Sequence, residues 1–534
     1  MAADTIVSRL FEQAKQRPGS PAYYVRQGGS WRPTSWRDYA AEVEQAARAL
    51  ISLGFASGNN VSVLGFNRPE WAVTVLAAMA AGGAAAGIYT TCSPPEVQYI
   101  VDHAEAPIVV VENEGQWEKL RLELDRLPKL RYVVLMKGAP AVDHDMVLTW
   151  EQFMARADQI PESVVAERVA AIEPEQLATL IYTSGTTGPP KGVMLSHHNI
   201  AWTAKQAAST NAIGPNDTSL SYLPLAHIAE QTFTVFVPAT TGSQIYYAES
   251  IEKVPDNLKE VQPTVFFGVP RIWEKFHAGV NAKLKQATGT KAKLVAWAMR
   301  VGAKAAELRS RGGTPSGLSY WLAGKLIYSK LKPAIGLGNA RVCVSGAAPI
   351  AREVLEFFAS LDIIVLEVYG QSEDSGPTSF NLPDKFRFGS VGPVFAGVEV
   401  QIADDGEILV RGPNVFLGYY KEPAATAETL IDGWLHSGDL GELRDGFLYI
   451  TGRKKEIIIT AGGKNIAPKN IEAALKNHDL INEAVVIGDR RKYLSALLTL
   501  DPDHAPGWAK QRGIDPAALH ESDELRRELE AYVE

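Results

Sequence analysis

Residues Tyr182 to Gly192 read YTSGTTGPPKG and follow directly on the apolar run ATLI, Ala178 to Ile181. A strand that opens into small and hydroxyl-bearing residues lets backbone N–H groups and side-chain donors converge on anionic oxygens, and Lys191 adds a compact positive charge. The stretch therefore reads as a phosphate cradle. A P-loop carries a second glycine immediately before its lysine, whereas Pro190 stands there, so a P-loop ATPase or kinase is disfavoured.

Outward from this turn, short apolar runs alternate with helical patterns: VSVLGF from Val61, PIVVVEN from Pro107, YVVLMKG from Tyr132, TVFFGVP from Thr264, RVCVSG from Arg341 and IIVLEVYG from Ile363. This rhythm predicts parallel α/β sheets. After about residue 385 the pattern changes to strands joined by short turns, as in VEVQIADDGEILVRGP with its turn at Asp404 to Gly406. GFLYITGRKKEIIITAGGKNIAP then crowds charge and glycine between two apolar runs, which places a boundary near Arg453 to Lys455. The expected architecture is α/β: a parallel-sheet body with a smaller β-rich subdomain at its end, then, past the boundary, a smaller unit that alternates helix with strand.

Length and composition agree. A chain of 534 residues with 46% hydrophobic and 21% charged residues is globular and long enough for three or four compact units. Fifty-three Lys or Arg against 61 Asp or Glu leave a net charge of −8, a poor match to nucleic acid. Cys92 and Cys343 stand alone, without a CxxC or a nearby histidine cluster, so neither a disulfide framework nor a zinc site is expected and the chain reads as intracellular and reduced. The first twenty residues lack the sections of a signal peptide and predict a helix. The weakly polar run from Ala72 to Ile88 is dominated by Ala and Gly, and predicts a buried, tightly packed helix rather than a membrane span.

One segment departs from the average. Arg271 to Lys332 holds thirteen Lys or Arg against only Glu274 and Glu307, a local excess of eleven that leaves the remainder of the chain at −19. Trp297, Tyr320, Trp321 and several aliphatic residues are interleaved with these cations. Two readings stand side by side, a basic amphipathic surface for anionic membranes and a solvated helical face over the core.

Further motifs follow the cradle in order: SYLPLAHIAEQ around His227, SGAAPI from Ser345, VYGQSE ending at Glu373, WLHSGDLG around Asp439 and GRKKEIIITAGGKNIAP from Gly452. In order and approximate spacing they resemble the adenylate-forming superfamily of acyl-CoA synthetases, peptide-synthetase adenylation domains and luciferases. IYTTCSPPEVQYI, LPLAHIAEQ, GVPRIWEK and KYLSALLTL look most like long-chain fatty acyl-CoA synthetases of the bubblegum type.

The resemblance implies a body over 1–452 of two doubly wound α/β subdomains plus a small β-rich subdomain, followed by a small mobile α+β lid over 453–534. It implies that ATP and a fatty acid give acyl-AMP and pyrophosphate, and that coenzyme A then displaces AMP. Lys191 with Thr183, Ser184, Gly185, Thr186, Thr187 and Gly188 would hold the β and γ phosphates. Glu373, and Thr183 as a second ligand, would bind Mg²⁺. Gly346, Ala347 and Ala348 would line the adenine site, with Tyr369 stacked on the base and Gly370, Gln371 and Ser372 beside it. Asp439 would accept from the ribose hydroxyls while Arg453 neutralises nearby charge. His227 would border the acyl carboxylate, and the adjacent His197 and His198 would only begin a helix capped by Ser196. Gly462, Gly463 and Lys464 would meet coenzyme A, with Lys455 as the hinge. Ser372 stands where many relatives have Thr, and Gln231 where some long-chain synthetases have a gating aromatic.

The implied enzyme is a long-chain fatty acid:CoA ligase of lipid metabolism, cytoplasmic and peripheral at the membrane. Its alternatives are a ligase for another carboxylate, an acyl-AMP ligase serving a carrier protein, and a nucleotide- and acyl-binding protein without full turnover. In the superfamily the small domain ends with a lysine that reaches the acyl and phosphate oxygens. Here the last lysine is Lys510 in HAPGWAKQRG and DELRRELEAYVE reads as a charged helix. The expectation is therefore an incomplete lid: a portion of a longer protein, poor at forming acyl-AMP and less impaired in the thioester step.

Overall fold

In the computed structural model, which describes residues 3–183, 188–461 and 464–533, the decisive stretch is the strand Leu177–Thr183 paired antiparallel with Lys191–Ser196. That pair lies toward one edge of an eight-stranded sheet. From Leu177–Thr183 the sheet continues in parallel through Ala84–Ile88, Asn60–Leu64, Ile108–Val111, Tyr132–Leu135 and Val147–Leu148. Beyond Lys191–Ser196 the edge is closed by the short antiparallel strand Gly418–Tyr419. Every residue of the strands Asn60–Leu64 and Ile108–Val111 is buried, as expected of parallel strands covered on both faces.

The run from Ala72 to Ile88 corrects the sequence expectation of a single helix. The helix Pro69–Ala80 ends at a turn through Gly82 (φ +81°), and the remainder is the central strand Ala84–Ile88. Alanine serves in both places, buried in the helix and buried in the strand. Among the described residues no helix is long and apolar enough to cross a membrane.

The second α/β unit carries two four-stranded sheets. One has the order Thr218–Ser221, Gln244–Tyr247, Pro21–Gln27, Ser30–Ser35, and the other Val265–Gly268, Val342–Ser345, Val365–Gln371, Gly376–Phe380. They meet where Thr264 N donates to Thr218 O at 3.0 Å. The antiparallel strands Glu399–Ile402, Glu407–Arg411, Leu430–Ile431, Trp434–Arg444 and Phe447–Arg453 form the β-rich unit, with the turn at 404–406 where the sequence places it. Past Arg453, two small hairpins and the helices Pro468–Leu475, Ala505–Gln511 and Asp523–Val533 enclose a core of their own around Ile458, Leu475, Ile481, Ala484 and Val486.

The basic segment folds as the helices Pro270–Lys285, Gly289–Ser310 and Leu318–Ala323, a π-helical turn Gly324–Tyr328 and the helix Ser329–Ala334. Its first helix is rooted in the body by the buried Trp273, and its later helices are tied to the body through one carboxylate. Asp362, in a left-handed conformation (φ +63°), accepts from Arg309 Nη1 at 2.7 Å, Lys332 Nζ at 2.7 Å and Tyr320 OH at 3.0 Å. Close by, Gly302 lies so near Ser360 that a Cβ there would stand 2.0 Å from the Ser360 carbonyl oxygen. Two of the thirteen cations thus turn inward.

Removing the carboxylate leaves two half-buried cations facing each other. Asp362→Ala should lower the local stability of residues 289–334 by on the order of 2 kcal/mol, the buried-pair value discounted for partial exposure. Hydrogen exchange should quicken in those helices and stay unchanged in the strand Asn60–Leu64.

Candidate active site

Three edges meet at the site: the strand ends at Thr183 and Lys191, the Tyr369–Gly376 turn and the Asp439–Arg453 strand pair. Thr183 lies opposite Lys191 in the hairpin register, and Gly188 adopts a left-handed conformation (φ +90°) between them. Ser184, Gly185, Thr186, Thr187, Gly462 and Gly463 lie outside the described residues.

Tyr419 joins Lys191 to Glu373. The Lys191 ammonium sits 4.9 Å from the centre of the Tyr419 ring, and the Tyr419 hydroxyl donates to Glu373 Oε1 at 2.8 Å. Register explains this contact, because the edge pairing Tyr419↔Val193 places Tyr419 beside the strand that Lys191 begins. Burial pushes the Glu373 carboxyl up from the ordinary carboxylate range, and the Tyr419 hydroxyl opposes that rise.

Glu373 belongs to a short turn, Ser372–Asp374, between the strands Val365–Gln371 and Gly376–Phe380. Asp374 holds that turn, accepting from Gln371 N at 2.6 Å and from the Thr378 hydroxyl at 2.7 Å. Ser372 is buried within it, and Gln371 directs a buried Nε2 that has no partner among the described residues. Gly370 ends the run beside Gly376.

Tyr369 is buried and donates its hydroxyl to Asp439 Oδ2 at 2.9 Å, while Arg453 Nε lies 3.3 Å from Asp439 Oδ1. Asp439 and Arg453 face each other across the strand pair. Burial also raises the Asp439 carboxyl, against the opposing pull of Arg453. Each carboxylate oxygen keeps a second lone pair, so Asp439 can accept further donors. Gly346, Ala347 and Ala348 follow the strand Val342–Ser345, with Ala347 left-handed (φ +69°) and exposed.

His227 caps the short helix Ile228–Gln231, its Nδ1 accepting from Ala229 N at 3.1 Å, and burial lowers its pKa so that the ring is neutral at pH 7. The same helix leads into a π-helical turn, Thr232–Phe236, and approaches the Glu373 turn, since a Cβ on Gly376 would lie 3.8 Å from Thr232 Oγ1. Gln231 is fully buried, donating to Leu225 O at 3.0 Å. His197 begins the helix His197–Thr210 behind the Ser196 cap, as its position in the sequence predicts, and both of its ring nitrogens are buried without partners among the described residues.

Sequence reasoning missed Tyr419, Asp374 and two buried acids, Glu230 and Glu367. Glu230 Oε1 accepts from Ser221 Oγ, Thr234 Oγ1 and Asn67 Nδ2 at 2.7, 2.8 and 3.0 Å. Glu367 Oε2 accepts from Gly389 N at 2.9 Å. Burial pushes them up to about 7 and about 8. The signal for Glu367 was available, an acid within the apolar run VLEVYG. Among the described residues no cluster of three or more His, Cys, Asp or Glu is arranged to hold a metal ion on its own.

The chain matches the family model described as AMP-binding enzyme over residues 10–420, and the AMP-binding enzyme C-terminal domain over 455–517. It is 42% identical over 515 residues to the long-chain-fatty-acid–CoA ligase ACSBG2 of Xenopus laevis, covering 92% of this chain and 69% of that protein. It is 38% identical over 521 residues to the long-chain-fatty-acid–CoA ligase ACSBG1 of Bos taurus, covering 93% and 71%. Its fold is similar to that of the anthranilate CoA ligase AuaEII in complex with anthranoyl-AMP, with a TM-score of 0.75 at 20% identity over 99% of this chain and 90% of that one.

The two raised acids make stability depend on pH in a definite sense. Between about pH 4.5 and 7 for Glu230, and between about pH 4.5 and 8 for Glu367, the unfolded chain ionises the carboxyl while the folded chain keeps it protonated, so stability falls as pH rises through those windows. Glu230→Gln with Glu367→Gln keeps an accepting oxygen at each place. The double variant should lose less stability between pH 5 and 8 than the parent, by on the order of 5 kcal/mol; thermal unfolding against pH reads the difference.

Proposed function

The chain belongs to the AMP-binding enzyme family, and from that premise we infer that it is an ATP-dependent long-chain fatty acid:CoA ligase of the bubblegum type. A carboxylate is a poor acyl donor. Its oxygen attacks the α-phosphorus of ATP and forms an acyl-O–P bond, while the bond to the departing pyrophosphate breaks. The sulfur of coenzyme A then attacks the acyl carbon, the thiol proton leaves to solvent, and AMP departs. No covalent bond to the protein is needed, so the residues act by placement and charge.

The observation that carries the site assignment is the Lys191–Tyr419–Glu373 arrangement, which sets a cation against the face of one tyrosine and a carboxylate against its hydroxyl. Lys191, with the turn that begins at Thr183, holds the outer phosphates in this reading. Glu373 would hold the Mg²⁺ that arrives with a nucleotide, an ion that takes one or two protein carboxylates beside phosphate and water oxygens; Thr183 stands at the neighbouring strand end. Such an ion screens phosphate charge and would favour the ionised form of Glu373. Tyr369 and residues 346–348 flank the base, Gly370, Gln371 and Ser372 line the floor, and Asp439 has lone pairs left for the ribose hydroxyls. Arg453 balances Asp439. His227, neutral and fixed by its cap, shapes the entrance for the acyl carboxylate rather than carrying charge.

Residues 453–534 serve as the lid, turning at Lys455. Lys464, Arg490, Arg491 and Lys492 are all exposed, and Ala461 N donates to Arg491 O at 2.9 Å, which brings that basic turn to the glycine segment. These cations suit the phosphates of coenzyme A. A long acyl substrate also gives the enzyme reason to visit lipid, and we read the segment 271–332 as the part that meets an anionic membrane.

Pyrophosphate exchange measured across carboxylic acids tests the assignment. Long-chain fatty acids should support exchange. A preference for other acids would shift the reading to a different carboxylate, thioester formed only on a carrier protein would shift it to an acyl-AMP ligase, and no product with any acid would leave a binding protein. Lys191→Ala and Glu373→Gln should each lower acyl-AMP formation by roughly a hundredfold or more with little change in thermal unfolding, since each acts on charge developed in the transition state. Near-parental rates in both variants would remove these residues from the site.

A further inference from the structure

The basic segment has two faces with opposite fates. On its inner face Tyr320, Ala323, Ile327 and Tyr328 pack against Trp297 and Ala298 of the long helix Gly289–Ser310, and the Tyr328 hydroxyl donates to Ala298 O at 2.6 Å. On its outer face Leu318, Trp321 and Leu326 stand 72%, 56% and 41% exposed. Their spacing of three and then five follows the helix Leu318–Ala323 into the π-helical turn Gly324–Tyr328, whose extra residue per turn keeps Leu326 in line with Trp321. Lys325 lies 5.1 Å from the Trp321 ring, and Lys330 is exposed just beyond.

Exposed leucines and a tryptophan are costly to leave in water, and the segment is not loosely attached. Asp362 binds Arg309, Lys332 and Tyr320, so the outer face is presented from a fixed platform. Among the described residues Lys325 and Lys330 make no ion pair, and neither do Lys291, Lys293, Arg300 and Lys304 on the long helix. An excess of eleven positive charges on this segment faces −19 on the remainder of the chain, so an anionic surface attracts this side of the molecule and repels the others.

We propose that Leu318, Trp321 and Leu326, flanked by Lys325 and Lys330, form the membrane-docking face of this protein, with an anionic phospholipid bilayer as its partner. The apolar side chains enter the boundary between headgroups and acyl chains while the ammonium groups meet lipid phosphates. Tryptophan beside lysine suits that boundary, being apolar at one end and polar at the other. The proposal deepens the fatty-acyl reading and rests on it only for its purpose, since a bilayer is where a long-chain acid partitions. The structure moves the point of contact from the cationic stretch at large to one helical corner.

Vesicle flotation tests it, read without ATP or coenzyme A. The intact chain should float with vesicles of phosphatidylcholine plus phosphatidylglycerol at low salt, and not with phosphatidylcholine alone. Added salt should weaken binding, because exposed charges are screened beyond about 8 Å at physiological ionic strength. Leu318→Ala with Trp321→Ala should lower the bound fraction about fivefold, and Lys325→Glu with Lys330→Glu by about tenfold. Both double variants should unfold like the parent and make acyl-CoA at the parental rate from detergent-dispersed fatty acid. Parental binding by the two variants, or no binding of the intact chain to anionic vesicles, overturns the proposal. A chain that floats as described but forms no thioester supports the docking face and overturns the enzymatic reading instead.

Discussion

A single buried carboxylate, Asp374, sets the geometry on which the rest of the site depends. It is wholly inside, it accepts from Gln371 N and from the Thr378 hydroxyl, and burial drives its pKa far upward. Those two bonds close the turn between two strands that approach so tightly at Gly370 that a Cβ would fall 1.5 Å from the Gly376 carbonyl oxygen. Because the turn cannot widen, Tyr369 on one side and Glu373 on the other have fixed directions. The turn also gathers the rest of the body. Asn414 Nδ2 donates to the Thr378 hydroxyl, Ser375 Oγ donates to Asn414 O, and Phe416 N donates to Glu373 O. Two residues after Phe416 the same chain supplies Gly418–Tyr419 to the edge of the large sheet, so the segment that braces the turn also delivers Tyr419 to Glu373 and Lys191.

The electrostatic character of the site follows from that closure. Glu373, Asp374 and Asp439 lie near enough to disfavour one another's ionisation, and burial raises all three. Lys191 and Arg453 approach from opposite sides, the first across an aromatic ring and the second directly onto Asp439. In the proposed reading, a site with three raised acids and two cations suits a polyanion that brings its own divalent ion. Fixed dipoles and charges of this kind lose little to reorganisation when charge develops in a transition state.

The sheet strands were legible in the sequence because parallel strands buried on both faces leave continuous apolar runs, and the turn at 404–406 was legible because its residues demand it. Ala72 to Ile88 was misread for the same physical reason in reverse. Alanine and glycine suit a tight helix and a tight strand alike, and only Gly82 and Gly83 marked the break. Motif residues such as Glu373 and Asp439 were found through resemblance, and the structure brings them to one place with Lys191, Tyr369 and Arg453. Tyr419 and Asp374 were not found. The first acts through an edge pairing between residues more than two hundred positions apart, and the second through backbone and hydroxyl donors that leave no pattern of their own. Nor does sequence show which cations face inward, and Arg309 and Lys332 are distinguished from their neighbours only by Asp362.

The distribution of ties around the proposed boundary bears on where a lid would turn. Arg453 is held to Asp439 both by strand pairing and by charge. Lys454 is held next, its backbone N–H donating to Gly438 O at 2.8 Å and its ammonium lying 2.6 Å from Asp405 and 2.9 Å from Glu407. Glu407 is itself buried, accepting from Gly438 N and facing His436, so the anchor for Lys454 is rigid. Lys455 is the first residue beyond these ties, exposed and in a turn. Across the gap, Arg271 reaches Glu483 and Asn482 through a half-exposed contact of the kind worth about 0–1 kcal/mol. A rotation that begins at Lys455 would therefore spare the ties of Arg453 and Lys454, whereas a pivot even two residues earlier would have to pull Arg453 away from Asp439.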